Sequence, residues 1–181
     1  MKNSIFALSD DLLNYLTTHA NSLKDYLPIE QELEGMPCKS FYGDIVFESL
    51  LLHTLPKIED LVGKKLWPTY SFFRSYIKNS LLPKHTDRPA CEYSTTIYLN
   101  SSNPEYPYPI FVDNIAITLK AGQGVVYKGC EQQHWREPYP HDFSNHVFLH
   151  YIEQTEENRK YKYDEREYLY RNAVKPNMTQ G

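Results

Sequence analysis

A chain of 181 residues and 21.3 kDa has the length of one domain. Its 41% hydrophobic and 14% aromatic residues can close a core, which excludes disorder as a global description. Nineteen basic against 23 acidic residues give a net charge of -4, without the basic excess that drives nucleic-acid binding.

The apolar run at the N-terminus meets Ser9, Asp10 and Asp11 too early for a signal segment, and no later stretch approaches the about 18 apolar residues of a membrane span. Cys38, Cys91 and Cys130 lie far apart with no CxxC pair, so neither a disulfide framework nor a zinc ribbon can be written from them. These features predict a cytoplasmic protein with no membrane and no nucleic acid among its partners.

Ser9 can cap a helix in which Leu12, Leu13, Leu16, Leu23 and Leu27 recur at helical spacing before Pro28. A second helix is predicted over 45–61 through Leu50, Leu51, Leu55, Ile58 and Leu61, broken or kinked at Pro56 and ended by Gly63. From Trp67 the texture changes to short β-branched and aromatic runs, and strands are predicted at 70–77, 92–99, 109–112, 115–119, 124–128 and 145–153. Asn, Gly and Pro turns separate them. The pattern describes one mainly β domain, a sheet sandwich or barrel with helical support: residues 1–65 mainly helical, 66–153 the sheet core, 154–181 a charged C-terminal segment. Mixed charges over 153–171 predict a solvated helix, and 175–181 a frayed end.

His85-Thr86-Asp87 supplies two candidate metal ligands one residue apart. On extended backbone both side chains share a face, whereas on a helix they would diverge by about 200°. The bare pair is weak, since about one chain in three of this composition would carry it by accident. A third candidate, His134, follows 49 residues later beyond four predicted strands. Two imidazoles and one carboxylate leave about three of six octahedral positions open, the facial arrangement suited to Fe(II) and O2 chemistry. His19, His53 and His141 read as ordinary surface or core residues, and His150 as a packed, hydrogen-bonded one. Arg88 and Glu92 are expected to pair and brace the loop, and Cys130 to be a small buried residue.

Around these residues the stretches YSFFRSYIKNSLLPKHTDRPACEYSTTIYLN, AGQGVVYKGCEQQHWREPYP and HVFLHY resemble the 2-oxoglutarate- and Fe(II)-dependent oxygenases of the prolyl-hydroxylase-like superfamily, especially small bacterial and phage members. The resemblance covers roughly residues 60 to 152 and rests on Tyr76, the His-x-Asp pair, Tyr98 to Asn100, Gly124 and Pro138 together. It implies a double-stranded β-helix of the jelly-roll or cupin-like kind with N-terminal helices packed outside. It also implies His85, Asp87 and His134 as iron ligands, with 2-oxoglutarate as a co-substrate turned over with O2 to succinate and CO2. The implied reaction is hydroxylation of a small-molecule or peptide substrate. The resemblance singles out Tyr76 and Tyr98, the latter at the position that hydrogen-bonds the far carboxylate of the co-substrate.

One departure stands out. Such enzymes place Lys or Arg about nine or ten residues after the distal histidine, where this chain reads Phe143-Ser144-Asn145-His146. A carboxylate buried without a partner is costly, so another cation must meet it. Arg136 is the first candidate, sharing the face of His134 two residues on; Arg74 is the second, sharing the face of Tyr76; His146 serves only as a cation or a donor. The missing cation also supports a different class of function, a metal-binding cupin-type isomerase or binding module without oxygenase activity.

Overall fold

The computed structural model describes residues 3–32 and 36–170. The expected frayed end at 175–181 lies outside the described residues. In chain order the elements are β1 (Ser4–Ala7), α1 (Asp10–Tyr26), β2 (Glu30–Glu32), β3 (Met36–Tyr42), α2 (Ile45–Val62), β4 (Leu66–Ile77), β5 (Leu82–His85), β6 (Tyr93–Ser101), β7 (Ile110–Val112), β8 (Ile115–Ile117), β9 (Gln123–Tyr127), β10 (His134–Arg136) and β11 (Phe143–Glu153). Every strand pairing is antiparallel. They form a seven-stranded sheet, β1-β9-β6-β11-β4-β3-β2, and a four-stranded sheet, β5-β10-β7-β8.

Both helices begin and end as the sequence predicts. Ser9 accepts from the Leu12 amide at the start of α1, and Asp44 accepts from the Val46 and Phe47 amides at the start of α2. Gly63 closes α2 at φ 69°, a left-handed position that glycine occupies without steric cost. The expected break at Pro56 does not occur. The carbonyl that loses a partner to proline belongs to Leu52, which is 39% exposed, so water can satisfy it. No helix among the described residues is long and apolar enough to cross a membrane.

The period-two alternation of the large sheet assigns its faces. Phe73 on β4, Ile97 and Leu99 on β6, Val126 on β9 and Val147, Leu149 and Tyr151 on β11 are buried with Leu16 of α1 and Leu51 and Ile58 of α2. Leu12 and Leu55 pack at its edge, half-buried. The helices thus cover one face, pinned by a hydrogen bond between Tyr151 and Thr54 of 2.8 Å. The opposite face carries rows of residues paired across strands: Tyr76 beside Ser144, Arg74 beside His146 beside Tyr98, and Phe72 beside Phe148 beside Thr96. That face meets the small sheet, and the functional residues lie between the two.

Two expectations need correction. The sheet does not begin near Trp67: β1 pairs with β9, and β2 and β3 extend the sheet beyond β4, so residues 1–65 contribute three strands as well as two helices. The charged segment after β11 is no α-helix. It makes 3-10 turns over Glu157–Glu165, interrupted at Lys162, with Tyr163, Asp164 and Glu165 at positive φ. Its charges are drawn into tertiary contacts: Arg166 pairs with Glu48 at 2.6 Å and Asp164 with Arg88 at 2.6 Å.

Candidate metal and co-substrate site

His85 ends β5, His134 begins β10, and the two are direct cross-strand partners with ring centroids 4.3 Å apart. Each ring is oriented from behind. His85 Nδ1 lies 2.7 Å from the Pro83 carbonyl and His134 Nδ1 3.0 Å from that of Gln132. A carbonyl only accepts, so Nδ1 carries the hydrogen in both rings and Nε2 is the end that faces inward. Asp87 sits just past β5, where its amide donates to the Gly129 carbonyl at 2.8 Å. Its Oδ1 is 3.5 Å from His85 Nε2 and 3.4 Å from His134 Nε2. These separations are long for hydrogen bonds. They are close to the about 3 Å between neighbouring ligands that each lie about 2.1 Å from one octahedral ion. The sequence-predicted triad is therefore brought together, with ligand atoms all within 4.8 Å of one another.

Burial alone would raise the Asp87 carboxyl, but the facing His134 and His85 rings bring it well below the usual carboxylate range. Burial would lower His85, and its contact with Asp87 reverses that, so the ring holds its proton above the ordinary histidine value. His134 is fully buried against Tyr127, with ring centroids 4.8 Å apart. The side chain of His85 is 33% exposed, so the triad is open on that side.

Arg88 does not pair with Glu92 as expected. Its guanidinium forks onto both oxygens of Asp164 at 2.6 and 2.7 Å and lies over the Tyr70 ring. Glu92 accepts instead from the Glu153 amide at 2.9 Å. The brace on the metal loop thus comes from the C-terminal segment, a partner too distant in sequence to be read from spacing.

Arg136, two residues after His134, is fully buried between the sheets. It donates to the Tyr108 carbonyl at 2.7 Å and faces His146 Nδ1 at 3.3 Å, with the rings of Tyr108 and Tyr76 beneath it. Burial and the neighbouring guanidinium hold His146 well below its usual pKa, so it is a neutral acceptor and not the missing cation. No carboxylate pairs with Arg136 among the described residues, and its Nε and the nearby Tyr76 hydroxyl are buried without hydrogen-bond partners. A buried cation and two idle donors are the complement of a carboxylate. The Tyr98 hydroxyl lies 2.9 Å from that of Ser101, and its ring is 5.3 Å from that of His146. Arg74, buried, shares the row of His146 and lies over Phe72 and Tyr76. The sequence reading missed Tyr108 as an orienting group, and missed Ser94 and Gly129, which touch Asp87; the alternation of Ser94, Thr96 and Tyr98 along β6 was the available signal for the first of these two.

No family model matches the sequence, and no curated protein matches it. Solved structures do. The non-heme alpha-ketoglutarate-dependent epimerase SnoN from nogalamycin biosynthesis matches at TM-score 0.70 and 12% identity over 84% of this chain and 78% of its own. A prolyl-4-hydroxylase from Pseudomonas putida matches at 0.63 and 16% over 84% and 93%. The viral collagen prolyl hydroxylase of Paramecium bursaria Chlorella virus-1, in a 2-oxoglutarate complex, matches at 0.63 and 11% over 86% and 97%. At these identities the likeness is one of fold. The two facing antiparallel sheets with helices outside are the double-stranded β-helix fold that the chain shares with these structures.

Proposed function

We propose that the chain is a non-heme Fe(II)- and 2-oxoglutarate-dependent dioxygenase that hydroxylates a small-molecule or peptide substrate. The observation that carries the reading is the pairing of two features in one cleft: an open His85-Asp87-His134 triad, and a buried Arg136 that meets no carboxylate among the described residues and whose Nε has no hydrogen-bond partner. A triad alone would serve a cupin-type metal binder equally well. The uncompensated guanidinium favours a bound dicarboxylate, since an unpaired buried charge is unfavourable until an anion meets it.

The residues present fit both groups. His85 and His134 offer Nε2 and Asp87 offers Oδ1, each fixed from behind, while Arg136 Nε and the Tyr76 hydroxyl are free to take the far carboxylate of 2-oxoglutarate. Iron held by His85, Asp87 and His134 would supply the activation of O2, which is the oxidant, with 2-oxoglutarate giving up two electrons as it is converted to succinate and CO2. The chain's own part is placement. Tyr108 and His146 hold the guanidinium in one orientation, and the buried Tyr127, Phe72 and Phe148 keep water from the inner end of the cleft.

The test is anaerobic reconstitution with Fe(II), then admission of air and measurement of succinate with a panel of metabolites and peptides. Succinate that requires Fe(II), is raised by one panel member and is lost in Asp87→Ala is the expected result. Metal binding with no succinate under any condition would return the chain to the metal-binder class.

A further inference from the structure

Asp87 has two oxygens, and the structure treats them differently. Oδ1 faces His85 and His134 Nε2. Oδ2 lies 2.5 Å from the Ser94 hydroxyl, which is fully buried on β6. The same hydroxyl is 3.3 Å from the Cys91 carbonyl and 3.0 Å from His150 Nδ1. Ser94 has one hydrogen to give. The shorter contact, to a charged oxygen, takes it, because hydrogen bonds to carboxylates are the shorter and stronger kind. The hydroxyl oxygen then accepts from His150, which must carry its hydrogen on Nδ1. His150 is set in turn by its buried ring, tilted against Tyr70 at 4.4 Å. The contact also depends on Gly129: a Cβ there would overlap Asp87 Oδ2, the Ser94 hydroxyl and the Cys91 carbonyl together.

We propose that Ser94, oriented by His150, holds Asp87 as a one-oxygen ligand by occupying Oδ2, and so keeps a coordination position free. The inference rests on the proposed function. Carboxylates bind cations through one oxygen or two. An octahedral ion with three protein ligands has roughly three positions left, and a chelating 2-oxo acid takes two. With Asp87 bound through one oxygen, one position stays open; with Asp87 bound through both, none does. Ser94 and His150 are thus positioning residues: they act through Asp87, and they decide whether a site that binds metal and 2-oxoglutarate can accept a further ligand.

The count of bound water reads this directly and needs no turnover. The full chain is loaded with Mn(II), and water-proton relaxation is measured with and without 2-oxoglutarate for the wild type, Ser94→Ala, His150→Phe and His150→Asn. The wild type should retain about one exchangeable water in the presence of 2-oxoglutarate, and Ser94→Ala should lose it while its Mn(II) affinity changes by less than about threefold. His150→Phe keeps a ring against Tyr70 but removes the donor, and should follow Ser94→Ala; His150→Asn restores a donor near Nδ1 and should follow the wild type. An unchanged water count in Ser94→Ala overturns the proposal, and identical behaviour of the two His150 variants overturns the role of His150 even if Ser94→Ala fails to fold. Wild type that fails to bind Mn(II), or binds it undiminished in His85→Ala, sinks the functional reading itself, a result distinct from either of these.

Discussion

At the scale of single residues, the cleft separates groups that the sequence left as alternatives. Arg136, Arg74, His146, Tyr98 and Tyr76 were all compatible with the far carboxylate of 2-oxoglutarate; in the packed cleft Arg136 Nε and the Tyr76 hydroxyl are buried without hydrogen-bond partners, His146 faces Arg136, and the Tyr98 hydroxyl contacts that of Ser101. Removing one partner of a buried charge pair costs about 3 to 5 kcal/mol, at least about a hundredfold in affinity. Arg136→Ala should therefore raise the 2-oxoglutarate dissociation constant by at least about a hundredfold while retaining Fe(II). Tyr76→Phe, which removes one hydrogen bond, should raise it about tenfold, and Tyr98→Phe should leave it nearly unchanged. Titration of 2-oxoglutarate into each anaerobic Fe(II)-loaded variant checks the order; a large effect only in Arg74→Ala would move the role to that residue.

At the scale of elements, the segment after β11 acts as a strap over the end of the sheet nearest the metal loop. Its anchor is Arg166, whose guanidinium reaches the fully buried Glu48 of α2 at 2.6 Å and the Thr69 carbonyl at 3.3 Å. Arg166→Ala strands the Glu48 carboxylate, so it should cost about 3 to 5 kcal/mol, whereas Glu48→Gln with Arg166→Met should recover most of that loss. Urea denaturation of the single and double variants reads the difference, and additive losses would mean the two residues are not coupled. None of this was legible from the sequence, because the mixed charges of 153–171 look the same whether they face water or a distant buried acid. The two main helices were legible because Ser9 and Gly63 mark their ends and leucines their faces. β3 was not: its inward residues Cys38, Ser40 and Tyr42 face a polar cleft, so Met36–Tyr42 lacks the apolar alternation of a core strand. The same holds for the inner faces of β6 and β11, where Ser94, Thr96 and His146 stand at positions that a purely structural sheet would fill with apolar side chains. The triad was legible for the opposite reason, since His85 and Asp87 are close in sequence; their meeting with His134 depended on a strand pairing that no local pattern specifies.

At the scale of the whole molecule, placing imidazoles in a closed cleft makes the fold acid-sensitive. Burial, above all, pushes His150 down to about 4; Asp87 and Asp164 oppose the shift, while Arg88 and His134 add to it. An unfolded imidazole titrates near about 6.5, so between these values the unfolded chain binds a proton that the folded chain refuses. Stability is then full above about pH 6.5 and falls as the pH drops toward 4, by ~3 kcal/mol for His150 alone. His146, held down by burial and Arg136, acts in the same direction. His85 acts oppositely, because its raised value gives stability that is present below about pH 6.5 and lost as the pH rises through its folded pKa. Asp87 and Asp164, both held below the ordinary carboxylate value, lose their contributions only in more acid solution. The window from about pH 6.5 to 5 therefore reports on the histidines. Urea unfolding across it should show the wild type losing stability with falling pH and His150→Phe losing markedly less. Saturating Mn(II) should steepen the wild-type slope, because metal displaces the proton from His85 and removes the opposing contribution. Equal slopes for the wild type and His150→Phe would mean that the ring is not held neutral in the cleft.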